Sequence, residues 1–258
     1  MRETSNTSKV VISIALLIGL LISPNTFSQR NDLIGKVQDK NINAVKESIA
    51  AGADINQVDD YSGLTPLLTS IHYNEEEIAK LLLSKGANIN FQEKNYGYTA
   101  LILACNYNFA DMAKLLISKG ADINIAGKDG ATALMAAAGN SKELVEFLLS
   151  KGANIKAKKD DGSGVFTHCT FGILSETVSL EMAELLVSKG ASVNEANAGG
   201  WTPLMFASNN NRQDLVKFLV NNGADLNAKN GDGDTALVLA IKGGHEKIVD
   251  ILKSRSAK

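Results

Sequence analysis

The chain has 258 residues, 45% hydrophobic and 21% charged, enough for one or two domains with a substantial core. Lys plus Arg number 26 against 28 Asp plus Glu, a net charge of −2, which speaks against a polyanion-binding surface and so against a nucleic-acid partner. Two cysteines are too few for a disulfide scaffold or a structural zinc cluster, and three prolines leave few places where the chain must break.

The N-terminus reads as an address. Arg2 and Lys9 precede an apolar run from Val10 to Ile22, and Thr26-Phe27-Ser28 fits the small-x-small cleavage rule. A helix of that length spans roughly 20 Å, short of the roughly 30 Å hydrocarbon core. A cleaved signal peptide over residues 1–28 is expected, with an uncleaved membrane tether as the alternative. Either way the rest of the chain is exported, to the periplasm or outside the cell, without stable membrane insertion after cleavage. Cleavage leaves 24 basic and 27 acidic residues, a net −3.

Residues 29–258 repeat one unit. Gly-Ala recurs at Gly52, Gly86, Gly120, Gly152, Gly190 and Gly223, at intervals of 34, 34, 32, 38 and 33. Each is followed by a near-identical tail: ADIN, ANIN, ADIN, ANIK, ASVN or ADLN. Thr65-Pro66-Leu67, Thr99-Ala100-Leu101, Thr132-Ala133-Leu134, Thr202-Pro203-Leu204 and Thr235-Ala236-Leu237 mark the other end. A threonine hydroxyl can cap a helix, and proline fits the first turn. Nine residues past most of these threonines stand Asn74, Asn108, Asn211 and Gly244, which tolerate the left-handed conformation and so predict the end of a first short helix. A second amphipathic stretch, such as EIAKLLLSKG, predicts a helix that stops at the Gly-Ala glycine. The remaining residues predict a hairpin-like loop.

With these segments in register, residues 31–253 resemble the ankyrin-repeat family. The resemblance implies an all-α fold, an α-solenoid of about seven ankyrin repeats. Residues 31–56 would be the N-terminal cap repeat, without a leading threonine. Residues 57–227 would hold the internal repeats, and 228–253 a charged C-terminal cap repeat. Where the family usually has histidine, this chain has Leu68, Ile102, Met135, Met205 and Val238, which predicts apolar packing there. The fifth unit departs furthest. Gly164 takes the threonine position, and about five extra residues near Gly172 to Val178 predict a longer turn between its two helices.

Catalytic motifs are absent: there is no GxxxxGK[ST], GxGxxG after a strand, HExxH, GxSxG or CxxC. His72, His168 and His245 fall in different repeats, and His168-Cys169 lacks an orienting acid. The Asp-rich segments DDGSG and NGDGD lack the calcium-loop pattern and read as turns. No cofactor or metal is expected. Cys105 and Cys169 are two repeats apart, about 20 Å at the spacing of packed helices, whereas a disulfide needs Cα atoms within about 7 Å. Both are expected to be free and buried.

All five tyrosines, Tyr61, Tyr73, Tyr96, Tyr98 and Tyr107, lie in repeats two and three. On the family resemblance, the hairpins and first helices line the concave face that binds proteins. Leu64 and His72 share that face, and Trp201 takes the place of Tyr98 three repeats on. Tyrosine and tryptophan offer stiff, amphipathic contact area, so these eight residues form the candidate contact surface. The alternative is that the tyrosines bridge hairpins and stiffen the stack. The expected function is a non-catalytic, monomeric protein-binding module. Its more specific forms are an inhibitor or immunity-type protein that blocks a toxin or enzyme, and a scaffold or stress-protection factor for an exported enzyme, oxidative-defence partners of the family included.

Overall fold

The structure, a computed structural model, describes residues 32–256. The expected signal peptide lies outside the described residues. Among them are fourteen helices in seven consecutive pairs, and no strand beyond two isolated bridges, Ala126 with Thr132 and Lys158 with Gly164. The chain divides into two compact units, one ending at Asp122 and one beginning at Ile123.

The first unit holds three pairs: α1 (Leu33–Gln38) with α2 (Ile42–Ala50), α3 (Pro66–His72) with α4 (Glu76–Ser84), and α5 (Ala100–Asn106) with α6 (Ala110–Ser118). Within it the first helices α1, α3 and α5 stack in sequence. The second unit holds α7 (Ala133–Ala138) with α8 (Lys142–Ser150), α9 (Val165–Leu174) with α10 (Leu180–Ser188), α11 (Pro203–Asn209) with α12 (Gln213–Asn221), and α13 (Ala236–Lys242) with α14 (Glu246–Ser256). There α7, α9, α11 and α13 stack in the same way.

The repeated residues do what their chemistry dictates. Thr65, Thr99, Thr132, Thr202 and Thr235 each accept the N–H three residues on, at 3.3–3.4 Å, closing the open end of a first helix. Pro66 and Pro203 occupy first turns, where no donor is lost. Asp32 caps α1 in place of the missing threonine, accepting from Gly35 N at 2.8 Å. Asn74, Asn108, Asn211 and Gly244 have φ of 55°, 57°, 56° and 68°, the left-handed turn that separates the helices of a pair.

Each second helix, except in the last pair, stops at its Gly-Ala glycine, where φ is 80–91°. The following alanine N–H donates to the carbonyl five residues back at 2.9–3.0 Å, the bond that closes a Schellman turn. A narrow strip of every second helix is buried: Ile78, Ala79 and Leu82 in α4, and Leu144, Val145 and Leu148 in α8. Such a leucine gains about 1.5–3 kcal/mol on full burial. Leu68, Ile102, Met135 and Met205 are buried as expected, and Val238 is half-buried.

The tails carry a ladder. The Oδ1 atoms of Asn56, Asn90, Asn124 and Asn194 accept N–H bonds from Asn88, Asp122, Asn154 and Asp225, each in the next tail, at 2.8–2.9 Å. Lys156 stands where the fourth tail should supply this asparagine.

The fifth unit corrects one expectation. Its extra residues do not simply lengthen the turn. Helix α9 has ten residues against seven in α3, α5, α11 and α13, so the insertion first extends the helix, and the left-handed turn moves to Glu176 at φ 61°. The apolar run VFTHCTFGIL carries no asparagine to stop it earlier. The turn is also fastened. Thr177 Oγ1 donates to Gly139 O at 2.6 Å, and Arg212 Nη1 donates to Ile173 O at 2.5 Å. Gly172 permits the close packing, since a Cβ there would lie 2.7 Å from Gly139 O.

Candidate aromatic contact surface

Two aromatic groups form in the first unit. One sits where α3 and α5 end. His72 closes α3, Tyr73 follows it, and Tyr107 holds the same place after α5. His72 Nδ1 lies 3.0 Å from Tyr107 Oη, and the rings meet edge-on at 5.7 Å. His72 meets Tyr73 at 5.1 Å and 87°, and Tyr107 meets Phe109 at 5.4 Å. Lys40 places Nζ 5.7 Å over the Tyr73 ring and 2.7 Å from Glu75 Oε1. Burial holds the His72 imidazole below its ordinary pKa and pushes the Tyr107 phenol up. A neutral imidazole joined to an un-ionised phenol is a fixed polar pair, suited to holding Tyr73 and Tyr107 in place.

The other group lies in the hairpins. Tyr61 is 68% exposed and Tyr96 is 43% exposed. Tyr96 stacks on Tyr98 at 5.6 Å, and Tyr98 is only 5% exposed. Buried carboxylates hold both loops. Glu93 accepts from the N–H groups of Asn95, Tyr96 and Tyr98, and Asp59 accepts from Ser62 N at 2.6 Å and Ser62 Oγ at 2.8 Å. Tyr96 is therefore presented on a rigid support.

Two of the expected contact residues are buried: Tyr98, and Leu64 at 9% exposed, pack on the core side of the hairpins. Leu64 and Tyr98, each directly before a capping threonine, are buried, whereas Tyr96, two residues before Tyr98, is exposed. Tyr61 and Tyr96 are exposed, and Tyr73 and Tyr107 are half-buried and braced by His72. Lys40, Glu75 and Phe109 join the cluster unannounced. Phe109 could have been found from its place two residues after Tyr107; the Lys40 contact comes from a neighbouring repeat.

Trp201 belongs to the second unit and a different set of rings. It meets Phe206 of α11 at 5.2 Å, and Phe206 meets Phe171 of α9 edge-on at 5.0 Å. All three are half-buried. Phe171 is the seventh residue of α9, the place that His72 holds in α3.

The remaining histidines and cysteines are structural. His168 Nδ1 lies 3.0 Å from Gly164 O, so the ring donates there, and burial lowers its pKa. Burial pushes the Cys169 and Cys105 thiols up to about 12, and both are free and buried, as expected from their spacing. A thiol so reluctant to ionise is a poor nucleophile. His245 Nε2 reaches Asn209 O at 3.2 Å. Among the described residues no group of three or more His, Cys, Asp or Glu is placed to hold a metal, and no helix is long and apolar enough to cross a membrane.

Comparison with known proteins agrees with this geometry. The family described as "Ankyrin repeats (3 copies)" matches residues 33–127 and 172–258, and that described as "Ankyrin repeat" matches 129–160. Among solved structures, the chain is similar to the ankyrin repeat domain of Bcl-3, described as a unique member of the IkappaB protein family. The two share 29% identity at a TM-score of 0.68, over 86% of this chain and 97% of that one. No curated protein sequence matches.

Proposed function

Because this chain belongs to the ankyrin-repeat family, whose repeats are protein–protein interaction modules, we propose that it is an exported, non-catalytic binder of one protein partner. Its contact surface is the hairpin and first-helix side of repeats two and three. The observation that carries this reading is the exposure of Tyr61 and Tyr96 on hairpins fixed by buried carboxylates. Two stiff rings held in place lose little freedom on binding, which is why such residues make good anchors. Tyr73 and Tyr107, braced by His72, extend the surface. The apolar run at Val10–Ile22 with its small-residue flank supports export by a cleaved signal. Within this reading the chain acts as an inhibitor if it abolishes its partner's activity at equimolar ratio, and as a scaffold if it preserves that activity.

The test is affinity capture from the native envelope fraction with the wild-type chain, followed by titration of the identified partner against Tyr61→Ala/Tyr96→Ala. The reading expects affinity to fall by tenfold or more with the melting temperature unchanged. Equal affinity in the double variant, or a large loss of thermal stability with binding intact, would assign these rings to the scaffold instead.

A further inference from the structure

The fifth unit lacks two fastenings that its neighbours have. Helix α9 has no side-chain cap, because Gly164 stands in the threonine position. The tail at 152–156 ends in Lys156, so its asparagine bond to the next tail is missing as well. Both losses touch residues 152–164, which lead into α9, and the tail bond is the one that would have joined them to residues 190–202, which lead into α11.

Glu195 fills that place. It lies in the second segment, directly after the tail asparagine Asn194, and is 6% exposed. Its Oε2 accepts from Phe166 N at 3.2 Å, Thr167 N at 3.2 Å and Thr167 Oγ1 at 3.4 Å. Thr167 N is the donor three residues past Gly164, the one that a threonine cap satisfies in other repeats. The glycine is matched to the carboxylate. A Cβ at 164 would meet Glu195 Cδ at 2.6 Å, so a side chain there and the carboxylate exclude one another. Gly164 has φ −123° and ψ −164°, extended backbone that any residue adopts. The glycine is needed for the space, not for its conformational freedom.

We propose that Glu195 is an inter-repeat latch, whose single acceptor oxygen supplies the α9 cap that Gly164 lacks and ties two neighbouring hairpin segments where Lys156 does not. Trp201 stands six residues further along the latched segment, so the latch also fixes the only tryptophan in the chain. Opening it frees the start of α9 and the Trp201 hairpin together. All three bonds converge on one oxygen, an acceptor that a neutral amide could also supply.

The full chain tests this through a change of sign. Gly164→Ser in the wild-type background lowers the melting temperature, because its Cβ meets the carboxylate. In the Glu195→Ala background the same substitution raises it, by about 2–4 °C, because the serine hydroxyl takes over the vacated cap. Glu195→Ala alone reduces hydrogen-exchange protection of the Phe166 and Thr167 amides by about fivefold or more and shifts Trp201 emission to the red. Glu195→Gln keeps that protection within about twofold of wild type. The same sign for Gly164→Ser in both backgrounds overturns the proposal, as does retained protection in Glu195→Ala. If Glu195→Gln behaves like Glu195→Ala, the acceptor claim fails. Should Glu195→Ala not fold, folding of the Gly164→Ser/Glu195→Ala double variant is the same rescue, and its failure overturns the latch.

Discussion

At the start of α5, Thr99 accepts the N–H of Ile102, three residues along the same strand of chain; at the start of α9, the acceptor is Glu195, 28 and 29 residues beyond the donors. The two helices have the same open donors and lie in the same architecture. A local cap is a property of its own repeat and survives whatever the neighbours do. A cap borrowed from the next segment makes the helix start depend on docking of that segment, and it converts a local helix-ending rule into a tertiary contact.

The largest expected effect attacks the tight packing that goes with the unusual repeat. Gly172→Ala drives a methyl group into Gly139 and Val178, and overpacking of this kind costs about 1–3 kcal/mol, read as a fall in melting temperature by circular dichroism. A change below about 0.3 kcal/mol would mean that the α9 turn is free to move aside. Next, Thr99→Ala removes a cap made within the repeat, at a cost of about 1 kcal/mol. Its loss of hydrogen-exchange protection stays at the start of α5, whereas that of Glu195→Ala spreads to residues 190–202. Equal spread in both variants would erase the distinction between local and borrowed caps.

The pH dependence is smaller and has a defined sign. Burial raises the Glu195 pKa, against the opposing pull of its hydrogen bonds and the Lys158 charge, so the folded value lies above the unfolded one. A carboxyl group shifted this way adds stability that is fully present below its unfolded pKa and is lost as pH rises through the folded pKa. Glu195→Gln has no such term, so its stability relative to wild type should improve between acid and neutral pH and then level off. A Glu195→Gln stability that falls relative to wild type toward neutral pH, followed by urea titration at each pH, would reverse the assignment. Last, Tyr61→Ala/Tyr96→Ala should change stability by no more than about 0.5 kcal/mol, as surface substitutions do. The native cysteines, raised to about 12, should resist thiol reagents at neutral pH until the chain is unfolded. Rapid labelling of the folded protein would show that the repeats open.

What the sequence discloses follows this same division between local and borrowed contacts. Thr65, Asn74 and the Gly-Ala glycines act on donors and acceptors within a few residues, so their spacing predicts the caps, the left-handed turns and the helix stops. Even Asp32 obeys a local rule, although it is not a threonine. The length of α9 is a different matter. Its far end is fastened from separate repeats: Thr177, just past it, bonds to Gly139 O, and Arg212 donates to Ile173 O. The contact surface divides likewise. Grouping of the tyrosines is visible in one dimension, but burial of Tyr98 and exposure of Tyr96 depend on which face of the hairpin meets the stack. Lys40 reaches Tyr73 across a repeat boundary, and residue spacing carries no trace of that.

Repeat arrays are commonly treated as interchangeable parts, in which a unit can be deleted, duplicated or exchanged at the cost of one interface. The Gly164–Glu195 pair does not obey that rule. A cut placed after Gly190 leaves α9 with neither its own cap nor a borrowed one, and a consensus repeat with threonine at 164 would collide with the carboxylate that remains. Residues 152–202 are therefore inherited together, or changed together, and any recombination or design scheme that shortens this chain has its safe boundaries on either side of that block.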